Sequence, residues 1–102
     1  MIPVVEERID DLKRLCIRYG VQRLDLFGSA SAGQYDSVKS DLDFVVEFRP
    51  EALLAYADAY FGLLESLERL FGKPVDLVVG SAIRNPYFLQ SVEATRVPIY
   101  AS

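Results

Sequence analysis

A chain of 102 residues, 51% hydrophobic and 25% charged, has the balance of one ordinary globular domain over residues 1–102, with no room for a second core. Its net charge of −4 argues against non-specific nucleic-acid binding, which depends on lysine and arginine, and its lack of histidine excludes His-based triads and imidazole–zinc sites. The lone cysteine, Cys16, reads as a small buried hydrophobe, and the absence of a signal-peptide pattern or a membrane-length apolar run makes the chain read as cytoplasmic.

From about Pro3 to Tyr19, the residues Val5, Ile9, Leu12, Cys16 and Tyr19 recur at steps of four and three, which predicts one helix ended by Gly20. Val21 to Phe27 predicts a strand, with Leu24 and Leu26 on one face and Arg23 and Asp25 on the other. Gly28 to Ser40 is small, polar and glycine-containing, a loop with room for one helical turn at its start. Asp41 to Phe48 predicts a second strand that alternates Leu42, Phe44, Val46 and Phe48 with Asp41, Asp43, Val45 and Glu47. Pro50 breaks it. Glu51 to Phe71 predicts the longest helix, with Leu53, Leu54, Ala57, Phe61, Leu64, Leu67 and Phe71 as its apolar stripe. Val75 to Val79 predicts a third strand, and Asn85 caps a final helix that Pro86 begins and that runs to about Thr95. Pro98 stops anything helical before the tail Ile99-Tyr100.

The chemistry concentrates in Gly28-Ser29, then Asp41-Leu42-Asp43, then Asp76. Residues i and i+2 of a strand point the same way, so Asp41 and Asp43 project side by side at roughly 7 Å. At an effective dielectric near 20, two unit charges at that distance repel by about 2 kcal/mol. Such a pair calls for a compensating cation, and an all-oxygen set suits magnesium better than zinc. The pieces converge at one sheet edge if the first strand runs antiparallel to the second and the third runs parallel to it, with the long helix as the crossover. The sheet then has one acidic face, left wet, and one apolar face that the helices cover. Gly28 lets the backbone approach a phosphate closely, and the Ser29 hydroxyl adds a donor. Two metal ions on the carboxylates would activate an acceptor hydroxyl and stabilise a leaving pyrophosphate, with Asp76 as candidate general base.

This combination of GS, a spacer, DxD and a later acidic strand residue resembles the nucleotidyltransferase domain of the DNA polymerase beta superfamily. Within it, the chain is most similar to the minimal nucleotidyltransferases, the MntA-type antitoxins paired with HEPN-domain (HepT-type) toxins. The resemblance covers nearly the whole chain, including Arg84-Asn85-Pro86-Tyr87-Phe88. It implies an α+β nucleotidyltransferase fold, a small mixed sheet with helices packed on one face. It also implies that Gly28 and Ser29 bind the triphosphate, that Asp41 and Asp43 bind both metals, and that Asp76 binds one metal and activates the acceptor. The implied activity is transfer of AMP, or another NMP, from ATP or another NTP to a hydroxyl of a protein partner, with magnesium, or manganese in its place, and a HEPN toxin as partner. The sequence departs from the pattern in an eleven-residue spacer and in having no basic residue soon after Ser29, where Lys39 is the nearest substitute. The alternative reading is a binding module that neutralises a HEPN toxin by contact alone.

Overall fold

A computed structural model describes residues 2–31 and 41–102; Lys39 and most of the expected loop lie outside the described residues. The elements run α1 (Pro3–Glu6), α2 (Ile9–Arg18), β1 (Val21–Phe27), β2 (Leu42–Phe48), α3 (Tyr56–Phe71), β3 (Val75–Val79), α4 (Pro86–Thr95) and β4 (Val97–Ala101). Short 3-10 turns at Gly28–Ala30, Pro50–Ala55 and Gly80–Ala82 join them. The sheet order is β3-β2-β1-β4. β1 is antiparallel to β2, and β3 is parallel to β2, the arrangement that the site residues required.

The expected first helix is divided between Glu6 and Ile9, where Arg8 N–H bonds to Val5 O, three residues back rather than four. Both pieces keep the expected face, and Val5, Leu12 and Cys16 are fully buried. Burial pushes the Cys16 thiol up to about 12, so it stays a neutral core group.

The long helix differs more. Pro50–Ala55 form a 3-10 turn where its start was expected, and its buried stripe is Ala59, Leu63 and Leu67. Leu67 of the expected stripe is buried, and Leu64 and Phe71 pack against the core, but Leu54 is 94% exposed and Phe61 62%, so the stripe is rotated away from the expected one in its first half. The segment is apolar on most sides, and contact with the sheet and α2 decides its rotation. At Gly62 the two helices meet so closely that a Cβ would lie 2.5 Å from the Tyr19 ring.

The tail is a fourth strand that the sequence pattern did not disclose. β4 lies at the sheet edge against β1, where Pro98, opposite Asp25, can be accommodated although it has no N–H to donate. Leu24, Leu26, Leu42, Phe44, Val46, Val75 and Leu77 form the main core with α2 and α3. The opposite face is not entirely wet: Val92 of α4 is buried there against Phe27 and Val45, with Val78 and Ile83 packed alongside. Among the described residues, no helix is long and apolar enough to cross a membrane.

Candidate active site

β1 ends at Phe27, which pairs with Asp43, and Asp43 pairs with Asp76 across the parallel β2–β3 ladder. These two registers bring the turn after β1 and two carboxylates to one end of the sheet. Gly28 opens that turn with a φ of +75°, in the left-handed region. A Cβ at Gly28 would lie 2.4 Å from Asp43 Oδ2, so only glycine fits both the backbone and the carboxylate beside it. Ser29 follows, half-buried in the 3-10 turn.

Asp43 is half-buried, while Asp41 and Asp76 are exposed. The Asp43 carboxyl is pushed up to about 6, first by burial, then by its hydrogen bond with Asp76 and by the charges of Asp76 and Asp41. The structure brings Asp43 and Asp76 together and leaves Asp41 at the mouth of β2. Among the described residues, no three His, Cys, Asp or Glu side chains are gathered closely enough to hold a metal ion by themselves. The oxygen pair fits a hard divalent ion, and the charge of Asp41 acts on the same site.

Beyond Asp76 opens a cavity of about 480 Å³, lined by Phe27, Asp43, Tyr60, Asp76, Val78 and Phe88. Tyr60 donates to Leu77 O at 2.6 Å, which ties α3 to β3 beside the carboxylates, and its ring stacks on Tyr56 at 6.3 Å. Phe88 meets Phe27 edge-on at 6.0 Å. These aromatic walls come from α3 and α4. No local pattern in the sequence places Tyr60 or Phe88 beside the carboxylates.

Two further groupings were not legible. Gly28 N–H donates to Thr95 Oγ1 at 2.9 Å, and Ser31 Oγ donates to Thr95 O. Asp25, expected merely to oppose the Leu24 face, is completely buried. It accepts from Arg23 Nη2 at 2.8 Å and from Arg96 Nε at 2.6 Å, and Arg96 also pairs with Glu93. An Arg at i−2 on the strand was a local hint of the first pair. Arg96 is 71 positions away, and no local signal points to it.

The family described as nucleotidyltransferase domain matches residues 10–99, and the chain belongs to it. It is 37% identical over 76 residues to the "Putative protein adenylyltransferase MJ1379" of Methanocaldococcus jannaschii, covering 74% of each chain. It is 38% identical over 78 residues to a second relative of that description from the same organism, again covering 74% of each. A solved "putative minimal nucleotidyltransferase" superposes with a TM-score of 0.74 at 30% identity, over 92% of this chain and 91% of that one. A toxin–antitoxin structure with AMP-PNP shares the fold, with a TM-score of 0.65 at 22% identity over 92% of this chain and 73% of that one. So does the tri-AMPylated Shewanella oneidensis HEPN toxin in complex with MNT antitoxin, at 0.62 and 18% over 95% and 72%. The expected likeness to the minimal nucleotidyltransferases, and the α+β fold class, are therefore shown.

Proposed function

We propose that this chain transfers AMP from ATP to a hydroxyl of a partner protein, with a HEPN-domain toxin as that partner. The observation that carries this reading is the juxtaposition of Gly28, Asp43 and Asp76 beside an open cavity. It is supported by the names of the two archaeal relatives and by the AMPylated toxin in one structural neighbour.

In this reading the Gly28–Ser29 turn holds the triphosphate, with the Ser29 hydroxyl as donor. Asp41, Asp43 and Asp76 would hold divalent metal, magnesium or manganese, which when bound supplies charge neutralisation for the phosphates and a Lewis acid for the acceptor. Asp76, exposed on the cavity side, takes the proton of the acceptor hydroxyl. The acceptor oxygen bonds to the α-phosphorus, the α–β anhydride bond breaks, and pyrophosphate leaves. Phe27, Phe88 and Tyr60 keep water from one side of the cavity.

Incubating the chain with ATP, magnesium and the HEPN partner should add about 329 Da, or multiples of it, to the partner's intact mass, as expected for AMP transfer with loss of pyrophosphate. The first half of α4 supports a second reading. Tyr87 is 81% exposed and Leu89 41%, which gives a surface suited to neutralising a toxin by contact. Tight complex formation with no mass gain would select it.

A further inference from the structure

We infer that Thr95, at the end of α4, is a positioning residue that sets the Gly28–Ser29 turn for its triphosphate; the triphosphate role rests on the function proposed above. Both oxygens of this one residue grip the turn. Thr95 Oγ1 accepts from Gly28 N–H at 2.9 Å, and Thr95 O accepts from Ser31 Oγ. The turn closes on itself through Ser31 N–H to Gly28 O at 3.2 Å.

The threonine hydroxyl is itself oriented. It donates to Ser91 O at 3.0 Å, so its proton points back along α4 and its lone pairs face Gly28. The anchor is firm because the next residue, Arg96, is bound to the fully buried Asp25 of β1, and Val92, one turn earlier, is buried against Phe27. On its other side Gly28 is bounded by the Asp43 carboxylate, only 2.4 Å from where a Cβ would stand. The turn is held between Thr95 and Asp43, and Ser29 takes its place from both. The Gly28 N–H is thereby engaged within the protein, so phosphate contact falls to Ser29 rather than to the Gly28 N–H.

Thr95→Val keeps the shape and removes the hydroxyl, whereas Thr95→Ser keeps the hydroxyl. Calorimetric titration with Mg-ATP should show Thr95→Val binding about five- to tenfold more weakly, the loss of one hydrogen bond, and Thr95→Ser within about twofold of wild type. In the ligand-free protein, hydrogen exchange at the Gly28 amide should accelerate in the valine variant and not in the serine variant. Asn85→Ala removes the cap at the other end of α4, where Asn85 Oδ1 accepts from Tyr87 N–H and Phe88 N–H. It should lower the melting temperature and leave Mg-ATP affinity unchanged.

Wild-type affinity and wild-type Gly28 exchange in Thr95→Val would overturn the assignment. So would an equal loss of affinity in Asn85→Ala, which would reduce the effect to helix stability. Failure of the wild-type chain to bind Mg-ATP at all would instead remove the nucleotide reading, and the triphosphate role of Thr95 with it. The exchange measurement would still decide whether Thr95 holds the turn.

Discussion

The two faces of the sheet are built for opposite purposes. The face under α2 and α3 is apolar throughout, from Leu24 and Leu26 to Phe44, Val46 and Leu77, and each such side chain stabilises the fold by about 1.5–3 kcal/mol on burial. The other face is divided. Its middle is closed by Val92 over Phe27 and Val45, the Asp25 carboxylate is buried near that patch, and Asp43 and Asp76 stand at the open end. Stability resides mainly on the first face. The second carries charge that a simple folding argument would not place there, and charge placed against stability marks where a ligand is expected.

The sharpest way to break the comparison is Asp43→Asn, which keeps the shape and removes the central carboxylate. Transfer of AMP should fall at least about a thousandfold, equivalent to about 4 kcal/mol in the barrier, while the fold survives. Labelled-ATP transfer assays beside circular dichroism check both halves.

Next comes Asp25→Ala, which leaves the part-buried Arg96 without its main partner and should cost about 3–5 kcal/mol in denaturant unfolding. A loss below about 1 kcal/mol would mean that the Arg23–Asp25–Arg96 group does not hold α4 to β1. Leu63→Ala on the first face should cost about 2–5 kcal/mol by opening a cavity, yet leave Mg-ATP affinity intact. A large change in affinity there would erase the division of labour between the faces.

A smaller effect is written in pH. Asp43 is raised from 3.8 to about 6 in the folded protein, so the folded state binds the extra proton. Its contribution to stability is fully present below about pH 3.8 and is lost as pH rises through about 6. Because the group is only half-buried, solvent screening trims the loss to about 1–2 kcal/mol, several degrees of melting temperature for this size of domain. In EDTA, Asp43→Asn should lack this decline and melt above wild type at pH 7. A lower melting temperature would make Asp43 a structural acceptor instead. Smallest is Tyr60→Phe, which loses the bond to Leu77 O and should cost about 1 kcal/mol in urea unfolding.

By itself the sequence determined three strands, the cap and extent of α4, the apolar faces and the shared face of Asp43 and Asp76, because two-residue and three-to-four-residue periodicities are local properties. It also carried the order GS, DxD and third aspartate, from which one strand topology followed. The phase of α3 was not legible, since Tyr56–Phe71 is apolar around most of its circumference and only packing selects Ala59, Leu63 and Leu67. β4 was hidden because Pro98 and a five-residue strand look like a tail until the β1 edge is there to pair with. Tertiary structure alone decided the pairing of Asp43 with Asp76, the fit of Gly28 against Asp43 Oδ2, the grip of Thr95 on Gly28 and the burial of Asp25 under Arg96. Each joins residues from different elements of the chain, and such contacts exist only once the chain has closed around its core.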